Sequence, residues 1–536
     1  MNLSLYGYGP ADDRTWIAVD FGIAFAGDEA PGAEVIFPDI GYLEEERTNL
    51  AAIFITHAHE DHYGALIELW PQLRVPVYAT AFTAGLLNAK LASEPGADVV
   101  PVTVVRPGQR IKLGPFDVEY INVAHSIPEA NALAIRTPAG LALHSGDWKL
   151  DDTPVVGLPT DVERLKVIGE EGVTALICDS TNAYREGRSP SEQEVAREIE
   201  QVVAAAKGRV AFTTFSSNVG RLRSVALAAA AAGREVVVVG RAIRRVLDVA
   251  AEQGMLDGLP PFREEEAFHE LPRKRVLALL TGSQGEARAA LARIAANEHR
   301  NVSFDAGDLV VFSSRTIPGN EVAINTIINA LVSQGVRVQT DRDRLVHVSG
   351  HPRREELRHF YDWLKPDVAV PVHGEALHLA AHAELARDLG VPTVLQIENG
   401  AVVRLAPGRA AVIDDVPTGR LYRDGRLIGA MEDLGIVERR RLAFAGQISV
   451  SLVLDRRGNL IDEPDVVAVG LPESDAFGRP MVEALINAAE GAIESIPRSR
   501  RKHAEIAREA VRRAVRAEAN ALWGKKPNCT VFLTVV

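Results

Sequence analysis

The sequence predicts a multidomain α/β protein, and three observations carry that reading. Short β-rich runs fill residues 1–180, strand–loop–helix units alternate over 190–345, and apolar runs repeatedly end in histidine or aspartate. At 536 residues the chain exceeds what one hydrophobic core organises, so two to four domains are expected.

The elements follow in order. "TWIAVDFG", "AAIFIT", "VPVYAT", "FDVEYINVAH", "GLALHSGD" and "TALICDS" are rich in apolar and β-branched residues and bounded by Gly, Pro or Asp, which reads as strands. "YGALIELW" and "TAGLLNAKL" carry helical periodicity instead. "SEQEVAREIEQVVAAAKG" opens on Ser and stops at Gly, so a helix is predicted there. Four units led by "RVAFTTFSS", "REVVVVGR", "RVLALLTGS" and "DLVVFSS" predict a parallel sheet covered by helices. Their strands open into the small polar loops "TTFSSN", "GRAIRR", "TGSQGE" and "FSSRTIPGNE", which can present N–H groups and hydroxyls to anions. "RLVHVSGH" and "DVAVPVHGE" read as strands carrying histidines. A turn-rich stretch closes that region by 430, and residues 431–445 read as a linker. A hairpin, a helix over roughly 480–520 and the strand "NCTVFLTVV" then make 446–536 a small α+β domain.

Composition narrows the function classes. Hydrophobic residues make up 47% of the chain, enough for sizeable cores. The net charge of −13 argues against coating nucleic acid with the whole surface and leaves room only for a local basic channel. The two cysteines, Cys178 and Cys529, are far apart, so no disulfide framework is expected, which fits a reducing cytoplasm. The start "MNLSLYGYGPADDRTW" does not read as a signal peptide, and no apolar run could span a bilayer. A cytoplasmic protein without a membrane partner is expected.

The stretch "FITHAHEDHYGAL" concentrates the chemistry. His57, His59, Asp61 and His62 fall within six positions, after a strand and before a helix. His57 and His59 leave an extended segment on the same side, whereas Asp61 and His62 sit at the turn and can face a second point. One ion with four such ligands is possible; two ions need more. His125, Asp147 and His373 each stand where a strand gives way to a loop and could supply them. Imidazole and carboxylate ligands suit zinc or manganese, and the set holds no thiolate. Asp20 of "AVDFG" is expected to support the histidine loop from behind. His144 is expected to point away from the ligands, and His269, His299, His359, His378, His382 and His503 read as ordinary histidines.

The motifs "THAHEDH", "HSGDWK", "CDSTN", "TGSQGE", "FSSRTIPGNE", "HVSGH" and "VHGE" resemble, in order, those of metallo-β-lactamase-fold hydrolases of the ribonuclease J family. The resemblance covers nearly the whole chain. It implies a metallo-β-lactamase αββα sandwich in two parts, 1–190 and 346–430, interrupted by a β-CASP nucleic-acid-binding domain at 191–345. The 446–536 domain would support a homodimer or homotetramer. The resemblance also implies two divalent ions per chain, zinc first and manganese as the alternative. His57, His59 and His125 would hold one ion, Asp61, His62 and His373 the other, with Asp147 bridging. Asp179 and His351 resemble the family's acid/base residues. Ser216, Ser217 and Asn218, with His347, Val348, Ser349, Gly350 and His351, resemble its pocket for a nucleotide phosphate. The implied activity is hydrolysis of single-stranded RNA from the 5′ end, preferring a 5′-monophosphate, with internal cleavage as a second mode.

Two departures stand out against that family. The family usually has a strand and a glycine-rich turn before the position of Met1, so the expectation is either a truncated or mis-assigned start or a first sheet that lacks an edge strand. Gly220 stands where relatives often carry histidine. Arg221, Arg223, Arg241, Arg244, Arg245, Arg315 and "PRKR" at 272–275 are candidates to line an RNA channel. Competing readings are a non-catalytic RNA-binding scaffold, a DNA nuclease of the same superfamily and a hydrolase of small esters.

Overall fold

The computed structural model describes residues 1–11, 13–317 and 319–536, so Pro318 of "FSSRTIPGNE" lies outside the described residues. The chain forms two compact units, one made of 1–24 and 38–419, the other of 25–37 and 420–536.

The first unit contains two stacked sheets. One has five strands, ordered Ser4–Tyr8, Thr15–Val19, Leu50–Phe54, Val77–Thr80 and Val102–Val105. The other has seven strands and is mixed. Ile17, Val19, Ala52 and Phe54 of the first sheet pack on Val118, Tyr120, Leu133 and Ile135 of the second, which forms the inter-sheet core. The outer face of the second sheet buries Leu165 and Ile168 of helix Val162–Glu171, and Leu357, Phe360 and Leu364 of helix Arg354–Leu364. This is the αββα sandwich expected from the resemblance.

The sandwich is completed across the insertion. Strand Ala175–Asp179 pairs in parallel with Val368–Val372, and Asp179 stands opposite Val372. Residues nearly two hundred positions apart therefore end at the same sheet edge. Between them lies a five-stranded, all-parallel sheet ordered Glu235–Val239, Val276–Leu280, Val210–Thr213, Leu309–Phe312 and Arg337–Gln339. The predicted strand–helix alternation is thus present, with one further strand. Helix Glu192–Ala205 begins at Ser191, whose side chain caps Glu194 N–H while Glu194 caps Ser191 in return. It ends at Ala205, short of the predicted stop at Gly208.

Two expectations for this unit need correction. "RLVHVSGH" is not a strand: residues 345–350 are irregular. Alternating buried Val346 and Val348 mimic a strand, but side chains rather than a neighbouring strand satisfy the backbone. Val346 O accepts from Arg221 at 2.8 Å and from Ser313 Oγ at 2.6 Å, and Gly350 O accepts from His125 Nδ1 at 2.7 Å. Arg221 lines no channel. It is fully buried, paired with Glu192 at 2.9 Å, and ties helix Val219–Ala231 to helix Glu192–Ala205.

In the second unit, strand Gln447–Leu454 pairs antiparallel with Asp465–Val469 and parallel with Asn528–Val535. The helix expected over 480–520 is two long helices, Met481–Ser495 and Ala504–Trp523, with a short turn of helix, Arg498–Arg501, between them. Pro497 supplies no N–H to continue the first helix. Leu485, Ala489, Val511 and Val515 bury one face of the sheet. Val467, Val469 and Phe532 remain exposed on the strands. Residues 431–445, expected as a linker, contain helix Ile436–Ala445. The turn-rich stretch expected to end the sandwich by 430 contains strands Arg420–Asp424 and Leu427–Gly429, which join a small sheet with Val35–Pro38.

Candidate metal centre and nucleotide pocket

Strand Leu50–Phe54 delivers the histidine stretch to the sheet edge. Asp20, with a left-handed φ of 63°, turns its carboxylate onto that stretch. It accepts from Thr56 N at 2.8 Å and from His62 Nδ1 at 2.7 Å. Gly22 packs so closely here that an added Cβ would lie 1.7 Å from Asp61 O. The supporting role expected of Asp20 is its observed position. His144 shares a hydrogen bond with Tyr6 at 2.8 Å and belongs to no ligand group among the described residues.

Seven side chains converge in two sets that share one carboxylate. His57, His59, His125 and Asp147 form the first, and Asp61, His62, Asp147 and His373 the second; within each, one ligand atom per residue lies within 4.8 Å of the others. Asp147 Oδ2 stands 3.8 Å from His57 Nε2, 3.7 Å from His125 Nε2 and 3.2 Å from His62 Nε2. His373 Nε2 is 3.2 Å from Asp61 Oδ2 and 3.7 Å from Asp147 Oδ1. Tetrahedral zinc with bonds of 2.0–2.1 Å separates its ligands by about 3.3 Å, within the observed spread.

The hydrogen bonds behind the rings decide which nitrogen carries a lone pair inward. Thr56 Oγ1 donates to Asp20, so at 2.9 Å it accepts from His57 Nδ1 and leaves His57 Nε2 unprotonated. Gly350 O can only accept, so His125 Nδ1 donates to it at 2.7 Å and His125 Nε2 faces the cluster. Thr181 Oγ1 donates to Asp179 and accepts from His373 Nδ1, both at 2.7 Å, which does the same for His373. His57 Nε2 and His125 Nε2 each lie 3.0 Å from His59 Nδ1. One proton on His59 could serve only one of them, whereas a cation between the three serves all. The donor set therefore fits a metal ion.

The electrostatics agree. Burial and neighbouring imidazoles hold His57 and His125 well below the usual histidine range, and burial lowers His59 to about 4, so all three are neutral donors. Burial also lowers His62, but Asp147, Asp61 and Asp20 outweigh it and raise the ring to about 10. His373 is raised well above its ordinary value, with Asp147, Asp179 and Asp61 overcoming burial. The carboxylates thus favour positive charge between them.

Asp179, His351 and His373 form a further acidic–imidazole group with Asp147. Here His351 Nδ1 donates directly to Asp179 Oδ2 at 2.7 Å, which uses the proton and the lone pair that an ion would need. Burial opposes the charge on His351, yet Asp179 and Asp147 raise its pKa. Asp179 is held well below the carboxylate range, because His351 and His373 outweigh burial.

The residues expected to form a phosphate pocket are placed as follows. Ser349 Oγ accepts from Asn182 Nδ2 at 2.9 Å. His347 Nδ1 is buried without a hydrogen-bond partner among the described residues. Ser216 and Ser217 are half-buried at the end of strand Val210–Thr213. Asn218 is committed elsewhere: its Oδ1 caps helix Val219–Ala231 through Arg221 N at 2.8 Å. Val348 is buried and can offer only its backbone. Gly350 allows the approach to His125, since an added Cβ would lie 2.5 Å from that ring.

Of the other basic candidates, Arg315 alone reaches this region, donating to Asn182 Oδ1 at 3.1 Å. Arg273 and Arg275 of "PRKR" precede strand Val276–Leu280, at the opposite end from its polar loop, and pair with Asp308 and Glu235. Arg244 pairs with Glu264, Arg223 donates to Met255 O and Asp257 O, and Arg245 reaches Ser93 at 3.3 Å. Arg241 is exposed at the start of helix Arg241–Glu252. Sequence reasoning missed Asn2, whose Nδ2 lies 3.2 Å from Asp61 Oδ2 and 3.0 Å from His62 Nε2. It also missed the relays through Thr56 and Thr181. Thr56 adjoins His57 and could have been suspected; nothing in the sequence marks Asn2.

Comparison with known proteins agrees with this architecture. Four family descriptions match: "Beta-lactamase superfamily domain" over 15–165, "Ribonuclease J, beta-CASP domain" over 207–331, "Zn-dependent metallo-hydrolase RNA specificity domain" over 335–396 and "Ribonuclease J C-terminal domain" over 434–536. The chain is 58% identical over 536 residues to ribonuclease J of Sinorhizobium meliloti, covering 100% of this chain and 95% of that protein. It is 38% identical over 488 residues to ribonuclease J of Mycobacterium tuberculosis, covering 90% of this chain and 86% of that protein. A crystal structure of a protein of unknown function from Enterococcus faecalis V583 shares the fold at a TM-score of 0.50 and 17% identity, covering 74% of this chain and 94% of that one.

Proposed function

Because this chain belongs to the ribonuclease J family, we propose that it removes nucleotides stepwise from 5′-monophosphorylated RNA ends, with slower internal cleavage. The chain is a metal-dependent ribonuclease. One observation supports the arrangement most: a single carboxylate, Asp147, lies in both ligand sets. We assign His57, His59 and His125 to one ion and Asp61, His62 and His373 to the other, with Asp147 shared. Zinc is the first choice and manganese the alternative. Bound there, two such ions polarise a phosphodiester and lower the pKa of an attacking water.

The chain's own residues do the rest. His351, kept protonated by Asp179, donates from Nε2 to the scissile phosphate or the leaving 3′ oxygen. Ser217, Ser349 and His347 hold the terminal phosphate, with Ser216 beside them and Asn218 shaping the loop as a helix cap. This pocket is joined to Asp179 and His373 by the adjacent residues Thr181 and Asn182. In this reading the pocket measures off one nucleotide per cut, and a longer, more charged triphosphate fits poorly. We also assign the exposed strand face carrying Val467, Val469 and Phe532 to self-association as a homodimer or homotetramer. We place the enzyme in the cytoplasm. No helix among the described residues is long and apolar enough to cross a membrane.

The test compares matched 5′-hydroxyl, 5′-monophosphate and 5′-triphosphate RNAs, end-labelled, with the wild type and the double variant Ser217→Ala, Ser349→Ala. The variant should lose about 10- to 100-fold on the monophosphate substrate, the worth of one or two charge-assisted hydrogen bonds. Equal degradation of all three RNAs from the 3′ end would refute both pocket and direction.

A further inference from the structure

Beside the pocket stands an aromatic pair that the proposed reaction does not use. Tyr184 stacks on His378 with ring centroids 5.1 Å apart and planes 16° from parallel. Tyr184 is 38% exposed. Two guanidiniums converge on it: Arg315 Nη2 donates to its hydroxyl at 2.9 Å, and Arg185 Nε donates at 3.1 Å. The Arg185 guanidinium also lies over the ring, 5.5 Å from its centroid. Neither arginine has a carboxylate partner among the described residues, although the chain is acidic and nearby Arg188 and Arg354 are both paired.

The position matters as much as the chemistry. Arg315 Nη1 donates to Asn182 Oδ1 at 3.1 Å, and Asn182 Nδ2 donates to Ser349 Oγ at 2.9 Å. One side chain therefore separates this platform from the candidate phosphate pocket. Arg315 comes from the inserted sheet domain, whereas Tyr184 and His378 come from the sandwich. His378 backs the Tyr184 ring, and its own Nδ1 is fixed by accepting from Glu375 N at 3.1 Å.

We propose that Tyr184, backed by His378, stacks one base of single-stranded RNA, while Arg315 and Arg185 hold the backbone phosphate of that nucleotide. The proposal rests on the RNA reading above. Aromatic stacking accepts any base, because every base has a π-face, so the subsite sets position along the strand rather than sequence. The two guanidiniums, which have no carboxylate partner among the described residues, supply positive charge next to the pocket.

The test uses full-length protein and a 5′-monophosphorylated oligoribonucleotide with phosphorothioate linkages that resist hydrolysis. Tyr184→Ala should weaken binding roughly 5- to 100-fold, and Tyr184→Phe should bind within about twofold of wild type. An abasic residue moved along the oligonucleotide should reproduce the Tyr184→Ala loss at one position and add nothing further in that variant. Arg315→Gln should reduce the salt dependence of binding by about one phosphate contact. Wild-type affinity in Tyr184→Ala, an equal loss in Tyr184→Phe, or no coupled abasic position would overturn the stacking subsite and leave the RNA reading standing. A wild type that does not bind this oligonucleotide would overturn both.

Discussion

Asp179→Asn should move the alkaline limb of the pH–rate profile downward. Asp179 Oδ2 accepts from His351 Nδ1 at 2.7 Å, while Oδ1 accepts from Thr181 N at 2.9 Å and Thr181 Oγ1 at 2.7 Å. Asparagine keeps the shape but removes the charge. Burial by itself disfavours protonated His351; Asp179 is the largest influence that raises its pKa, with Asp147 adding to it. A hydrogen bond to a charged group is worth roughly 1.5–3 kcal/mol, so losing this one should lower the His351 pKa. In the proposed role His351 acts as an acid and must be protonated. Below both pKa values the variant should therefore match the wild type, and above both it should be slower by roughly 10- to 100-fold. Asp179 also supports His373 through Thr181, so metal content is measured on the same samples. An unmoved alkaline limb with full metal content would show that Asp179 does not set the charge of His351.

Three further outcomes are expected. Wild-type protein should hold about two divalent ions per chain, and Asp147→Asn should weaken both, because the carboxylate lies in both ligand sets; elemental analysis of an active wild type showing a single ion would contradict this. Removing residues 446–536 should shift the protein toward monomer in sedimentation, since the exposed strand residues Val467, Val469 and Phe532 go with them. Glu192→Gln should destabilise the fold by about 3–5 kcal/mol, because it leaves buried Arg221 without its counter-charge. Burial raises the Glu192 pKa, but Arg221 and Lys149 outweigh it and hold it below its ordinary 4.5, so its contribution is present above that value and lost as pH falls below it. Thermal melts should then show a weaker acid-side slope in the variant than in the wild type.

The cluster of side chains able to hold a metal was legible in the sequence because metal chemistry restricts residue type and because strands announce their ends. His57, His59, Asp61 and His62 crowd into six positions, and His125, Asp147 and His373 each follow an apolar run, so all seven could be named without coordinates. The alternation over the insertion was legible for the same reason: buried parallel strands leave near-continuous apolar runs between polar loops. Tertiary structure alone decided how these pieces meet. Parallel pairing of Ala175–Asp179 with Val368–Val372 brings His373 beside Asp179, and no local pattern encodes a partner so distant in the chain. It also decided the roles of polar residues whose signal is ambiguous in one dimension. Arg221 looks like a solvated helix position yet is a buried ion pair, and Val346 and Val348 alternate like a strand although side chains satisfy their backbone. Asn2 reaches Asp61 across the fold. Periodicity reports which face of an element is buried; which charge lies opposite it, and therefore whether an arginine meets solvent, substrate or a carboxylate, is set only when distant elements pack.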